Sequence, residues 1–296
     1  MILIIYAFST VLLFLLFTLY GKPDFYIIEN FRIPRNLTAF LCGGSLAVAG
    51  AVYQVSLKNP LADPYILGVA GFSLVGYIIG EFLLVPTVGV IFFSFVGLLF
   101  IIYASRKLPP KHLILAGVGI NAFCVSFILI LYSLMDPYNL KEAVTRTIGI
   151  VPYLSLRDTV VILVLTSVLL IFLISRSKRL DALLMGELEA VSLGVKPSRE
   201  RAVSLTLSTV LSSIFVSIVG MVGFIGLVIP HLIRFLYSSL HSKLLPLSFL
   251  TGGAVFMCAD FFSRRLLYPS EIPAGVFSSL FLSPLFIFIL WRYRND

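Results

Sequence analysis

Ten predominantly apolar stretches, each near the length of a bilayer crossing, constrain this 296-residue chain more than any motif in it. A helix needs about 20 such residues to cross the hydrocarbon core, and there the backbone must satisfy its own hydrogen bonds. Cutting at charge and Pro/Gly clusters places the stretches at roughly 2–20, 36–57, 65–84, 87–105, 112–135, 158–175, 202–221, 224–240, 245–262 and 273–291, with the division near Gly223 the weakest. Composition agrees: 59% of residues are hydrophobic and 12% charged, against about half and a quarter in soluble domains. The chain reads as an all-α polytopic membrane protein with one transmembrane domain over 1–296. The first stretch lacks a basic leader and a small-residue cleavage site, so it reads as a retained span and not a signal peptide.

An even span count puts both termini on one side, and charge chooses the side. With the N-terminus inside, the inner segments hold thirteen basic and six acidic residues, and the outer segments hold eight basic and about eight acidic. Basic residues favour the cytoplasmic face, so both termini are expected there. The formal charge of +8 thus reports orientation in the membrane. It is not gathered into a soluble module that would bind nucleic acid.

Several chemistries find no residues to support them. No Asp or Glu occupies the middle of a span, although ion-coupled carriers usually keep an intramembrane carboxylate or a broken helix for their ion. The histidines His112, His231 and His241 form no HExxH, and His231, beside Pro230, reads as structural near a helix break. Cys42, Cys124 and Cys258 lie far apart in apolar runs, which supports neither disulfide nor metal site. Gly21-Lys22 lacks the rest of a P-loop, so any ATP must be bound by another subunit. No catalytic or metal-binding constellation is expected in this chain.

Small residues recur at helical spacing. Gly43, Ala47 and Ala51 share a face of the second span, and Gly76 with Gly80 makes a GxxxG in the third. Such spacing lets membrane helices approach closely; lining a path for a bulky solute is the other reading. Two regions look specified for contact. The inner segment at about 176–201 carries Leu180, Leu183, Leu184, Leu188, Val191 and Val195 at three- and four-residue steps, opposite Asp181, Glu187, Glu189 and Ser192. Gly186 is placed to split it into two short helices, Gly194 to end the second, and Ser198 to cap the next span. It is either a solvated or lipid-surface loop, or a docking surface for a soluble partner. On the outside, Arg32 and Arg35 at the mouth of span two, with Arg264 and Arg265 before the last span, offer guanidinium forks suited to carboxylates.

These residues resemble the BtuC/FecCD family of ABC importer permeases. The resemblance is carried in order by Arg32-Ile33-Pro34-Arg35, the run from Gly43 to Gly76 with NPLADP at its centre, LILAGVGINAF (Leu113 to Phe123), LLMGELEAVSLGV (Leu183 to Val195), GFIGLVIPHLIR (Gly223 to Arg234), LLPLSFLTGG (Leu244 to Gly253) and SEIPAGVFSSLFLSPLFIFIL (Ser270 to Leu290). It covers nearly everything from Phe31 onward. It implies a type II importer permease with about ten transmembrane helices and both termini cytoplasmic, in the inner membrane of a prokaryote. The expected partners are a second permease copy as a homodimer, two ATPase subunits that bind the ATP and Mg, and an extracytoplasmic protein delivering iron-siderophore, haem or cobalamin. No cofactor is expected on the permease itself.

By the same resemblance, Leu180, Leu183, Leu184, Gly186, Glu187, Glu189, Leu193 and Gly194 would couple to the ATPase. Arg32, Arg35 and Arg264 would dock the binding protein. Asn59, Leu61, Pro110 and Lys111 would form a cytoplasmic gate, and Gly117, Gly119, Asn121 and Gly275 would line the path. Two departures stand out. TRTIGIVPYLS (Thr145 to Ser155) replaces a Trp-Leu-x-Gly-Ser stretch, and Pro110-Lys111 stands where the cobalamin member has small hydroxyl residues, which points away from cobalamin. An ion-coupled carrier or channel acting without ATPase partners is the competing class.

Overall fold

The computed structural model describes residues 2–21, 23–65, 68–268 and 270–293, with the side chains at 2, 69, 70, 86, 87, 105, 106, 110, 111, 138, 142, 145, 146, 290, 292 and 293 outside that description. The described regular structure is helical. Helix α1 (Ile2–Leu19) leads through α2 (Phe25–Ile27) and a π-helical turn (Ile28–Arg32) into α3 (Ile33–Ser56). Then come α4 (Val69–Phe82), α5 (Pro86–Lys107), α6 (Pro110–Ser133), α7 (Pro137–Thr147), α8 (Leu156–Ser175), α9 (Ser177–Met185) and α10 (Glu187–Ser192). The chain finishes with α11 (Pro197–Val219), α12 (Ile225–Leu236), α13 (His241–Ser263) and α14 (Ala274–Tyr293). Proline opens α3, α5, α6 and α11 within their first two positions, where its missing N–H has no intrahelical partner to lose.

Ten helices, α1, α3 to α6, α8 and α11 to α14, stand where the ten apolar stretches were expected. Length and composition alone qualify five segments to cross a membrane: Phe25–Ser56, His112–Ser133, Leu156–Ser175, Pro197–Val219 and His241–Ser263. The other five are shorter apolar helices. Two fall well below the roughly 17 residues that a crossing needs at the least: α4 with 14 residues and α12 with 12 rise about 21 and 18 Å. The non-helical segments 57–65 and 220–224 that come before them meet each other. The Val222 N–H donates to the Tyr65 hydroxyl at 2.6 Å, and a methyl at Gly226 would come within 2.9 Å of Pro64 Cδ and 3.4 Å of Asp63 Oδ2. Non-helical backbone at membrane depth is tolerated where protein buries it, and Asp63 is 8% exposed. Gly220, at φ 87°, allows the turn out of α11, so the division near Gly223 is a real break.

The centre of the fold is α3, 94% buried along its apolar window, whereas His112–Ser133 of α6 and Leu156–Ser175 of α8 are 22% buried. Alanine and glycine explain how a helix can be enclosed so completely. A methyl at Gly252 would stand 2.6 Å from Ala47 Cβ, and one at Gly43 would collide with the Gly252 carbonyl, so α3 and α13 touch backbone to backbone. Gly76 and Gly80 meet Gly89 in the same way between α4 and α5. The small residues are therefore used for packing. The tightest approach is Gly50 against the Gly226 carbonyl of α12, with Gly226 Cα at 2.6 Å from a methyl placed there. Gly50→Ala is expected to destabilise the protein by roughly 1–3 kcal/mol through overpacking, read as a lowered unfolding midpoint in detergent; an unchanged midpoint would mean that α12 can slide.

One expectation is corrected. Helix α11 begins at Pro197 with Lys196 as its N-cap, so Ser198 lies inside the helix and caps nothing; proline's fixed φ sets the start. The segment after α6 contains the additional helix α7.

Candidate functional site

At one end of the bundle, 176–201 folds as the expected helical hairpin. Gly186, at φ 142°, separates α9 from α10, and the Glu189 carboxylate folds back over it. Gly194, at φ 76°, ends α10 while the Val195 N–H returns to the Ala190 carbonyl at 2.9 Å, a left-handed C-terminal cap. The apolar stripe divides. Leu180 and Leu183 are 0% and 2% exposed and belong to the main core, whereas Leu184, Leu188, Val191 and Leu193 remain 53–82% exposed. The stripe is thus half covered by the chain's own helices, which corrects the expectation that nothing internal covers it. Its other half is an apolar patch, with Glu187 and Glu189 beside it.

Ion pairs fasten this hairpin to the bundle. Asp181 Oδ1 accepts from the His241 backbone N–H at 2.9 Å and from His241 Nδ1 at 2.6 Å, tying α9 to the start of α13. Glu200 binds Arg176 through two contacts of 2.6 and 2.5 Å. Glu187 accepts from Arg201 at 2.7 Å and lies 3.5 Å from Lys58. The Arg201 hydrogen bond and then Lys58 hold the Glu187 carboxyl below the usual carboxylate range.

Lys58 belongs to the proposed gate loop. There Asn59 Oδ1 accepts from the Leu61 N–H at 2.9 Å and the Asn59 N–H donates to the Gln54 carbonyl at 3.1 Å, which sets a tight turn. Lys58 itself sits at φ 49°, a conformation L residues rarely adopt. Leu61 is 49% exposed. The side chains of Pro110 and Lys111 lie outside the described residues. Between the loop and the hairpin lies a cavity of about 660 Å³, lined among others by Gln54, Lys58, Asn59, Leu184 and Arg234. Arg234 donates to Gln54 Oε1, and His231 Nδ1 donates to the Leu227 carbonyl at 2.9 Å, which is the structural role expected of it.

Of the path residues, Gly119 has open space around it and Asn121 is half-buried. Gly117 is buried. Gly275 packs against Gly149, whose Cα would lie 3.2 Å from a methyl at Gly275, and its N–H donates to the Gly149 carbonyl at 2.9 Å. Gly275 thus makes close backbone contact with the segment before α8.

At the opposite end, the four arginines play different parts. Arg35 is 2% exposed and gives its donors to Asp260 at 3.0 Å and Glu271 at 2.9 Å, with the Tyr153 ring 4.6 Å from its guanidinium carbon. Arg264 reaches the same fully buried Asp260 at 2.9 Å. Arg32 donates to the Thr18 carbonyl at 3.0 Å and to the Tyr20 carbonyl, and Arg265 stacks over Tyr20 at 4.1 Å. The expectation of an exposed fork at Arg35 is therefore corrected: two carboxylates from distant segments have already taken it. Arg32 and Arg264 keep partial exposure.

The Asp181–His241, Glu187–Lys58 and Arg35–Asp260 pairings are not legible in the sequence, because each joins residues that one-dimensional spacing cannot relate. The available signal was polarity in the wrong place: Gln54, Asp260 and Arg234 lie within apolar spans.

A model of the FecCD transport family matches residues 3–292. Among curated relatives, "Uncharacterized ABC transporter permease protein YvrB" of Bacillus subtilis is 38% identical over 292 residues, covering 91% of this chain and 80% of its own length. The Fe(3+) dicitrate transport system permease protein FecD of Escherichia coli is 32% identical, with 93% and 88% covered. The hemin transport system permease protein HmuU of Yersinia pestis is 33% identical, with 90% and 84% covered. A solved structure described as an inward-facing conformation of a metal-chelate type ABC transporter superposes with a TM-score of 0.87 at 29% identity, covering 96% of this chain and 98% of that one.

Proposed function

This chain belongs to the FecCD transport family of ABC importer permeases, and on that premise we propose that it moves an iron-siderophore chelate across the membrane, delivered by a binding protein and driven by separate ATPase subunits. The observation that carries this reading is the hairpin: its apolar patch at Leu184, Leu188, Val191 and Leu193 is pinned by Glu187 to the gate-side Lys58. A soluble partner seated on that patch would move a rigid pair of short helices, and the ion pairs would pass the displacement to the loop at Asn59 and Leu61. ATP and Mg would be held by that partner. The related permease proteins of ferric dicitrate and hemin transport systems support a metal chelate as cargo.

In this reading both termini are cytoplasmic, as the charge balance of the segments favours. Two copies would face each other through the exposed sides of α6 and α14, where Leu115, Phe123, Leu280 and Ile287 are 67–70% exposed. The binding protein would engage Arg32 and Arg264, both partly exposed. Family resemblance also allows haem or cobalamin as the cargo.

The test is reconstitution of the permease with its cognate ATPase and binding protein in liposomes. ATP-dependent accumulation of a ferric siderophore, abolished when any one component is omitted, is the expected result. Accumulation by the permease alone under an ion gradient would establish the competing carrier class, and ATP-driven uptake of cobalamin or haem only would overturn the siderophore assignment.

A further inference from the structure

A second pocket lies at the base of the hairpin, away from the gate and the apolar patch. It is a cavity of about 380 Å³ between the end of α8 and the start of α11, into which Arg176, Arg179, Lys196 and Arg199 converge with one carboxylate, Glu200. Glu200 is 5% exposed and already bound by Arg176 through both oxygens, with Arg179 at 4.0 Å. Among the described residues, Lys196 and Arg199 have no carboxylate in ion-pair reach. Four cations beside one carboxylate leave the pocket net positive, and clustered guanidinium and ammonium groups suit a phosphate.

The surface above the pocket says which phosphate. Leu165, Val168 and Phe172 follow one another at steps of three and four along α8, each 47–56% exposed, and Arg176 continues the same ridge by one further turn. An apolar ridge of about 10 Å that ends on a cationic pocket matches an amphiphile with an anionic head. The cavity, about 380 Å³, has room for a phosphodiester with its glycerol.

We infer that this pocket binds the phosphate head of an anionic phospholipid, whose acyl chains lie along the Leu165–Val168–Phe172 ridge of α8. The inference rests on the chain being embedded in a bilayer, not on which chelate it carries or whether it couples to an ATPase. A lipid held there would anchor the base of the hairpin to the leaflet while leaving the patch at Leu188 free.

The experiment uses the full-length permease, delipidated in a neutral detergent, and measures lipid retention by native mass spectrometry and the unfolding midpoint by intrinsic fluorescence. Dioleoyl phosphatidylglycerol should remain bound and raise the midpoint by roughly 3 °C or more. Dioleoyl phosphatidylcholine should do neither, and 1 M NaCl should reduce the gain, since screening weakens ionic contacts. The Lys196→Gln/Arg199→Gln variant, which leaves the Arg176–Glu200 pair intact, should lose at least half of the gain; the single variants serve should the double one unfold. Equal shifts with both lipids, or a full shift in the variants, would overturn the site. A full shift from inorganic phosphate alone would overturn the lipid assignment in favour of a free anion. Variants that lose only ATPase association would show that the basic cluster serves an acidic protein surface instead.

Discussion

Replacing Asp260 with leucine is expected to destabilise the permease by about 3–5 kcal/mol, the range for removing one partner from a buried ion pair. Asp260 is 0% exposed and accepts from two guanidinium groups, Arg35 at 3.0 Å and Arg264 at 2.9 Å. Without it, Arg35 stays buried with only Glu271, which is 37% exposed, while Arg264 is left close by with the same sign of charge. Arg264, 20% exposed, can turn to water; Arg35 cannot. The double variant Arg35→Met/Asp260→Leu should therefore regain most of the loss, because an apolar replacement of a buried pair is often close to neutral. Chemical unfolding of both variants in detergent checks this. A loss under about 1 kcal/mol for Asp260→Leu would put the network in the class of exposed pairs.

That network also shows what the sequence could reveal. The ten spans were legible because hydrocarbon imposes a length and a composition that hardly depend on neighbours. Glycine and alanine spacing was legible for the same reason: Gly43 and Ala47 can be placed on one face of α3 from helical geometry alone. Arg35 was misread as a surface residue because its partner, Asp260, is 225 positions away and only the folded bundle brings them together. The partial helices were hidden for a related reason. The stretch 65–84 is apolar enough to read as a whole span, yet α4 starts at Val69, because Asp63, Pro64 and Tyr65 pack against 222–226 in place of a helical turn. At the hairpin, Gly186 and Gly194 carry their message locally through positive φ. The division of the leucine stripe into a buried and an exposed half could come only from knowing what lies beneath it.

Substituting lysine for Glu187 is expected to reduce ATP-driven uptake at least about tenfold while leaving assembly with the ATPase and its basal hydrolysis in place. The change sets a third positive charge beside Lys58 and the 8% exposed Arg201, so the contact between hairpin and gate loop becomes repulsive. The exposed leucines on which the partner is proposed to sit are untouched. Glu187→Gln should cost less, since it keeps an acceptor for Arg201, and the exchange Glu187→Lys/Lys58→Glu should recover part of the uptake by restoring one attractive pair. The pH dependence has a definite sign. The carboxyl is held below its usual range, so its stabilising contribution is complete above the unfolded carboxylate value of about 4.3 and is lost only as pH falls through the lowered folded value. Uptake by the parent protein should be insensitive to this group from pH 6 to 8, and the defect of the lysine variant should persist across that range. A variant that transports normally would show that hairpin motion reaches the gate by another route, through Asp181 and His241 or through the buried Leu180 and Leu183. Loss of ATPase assembly instead would make Glu187 part of the docking surface and not of the link behind it.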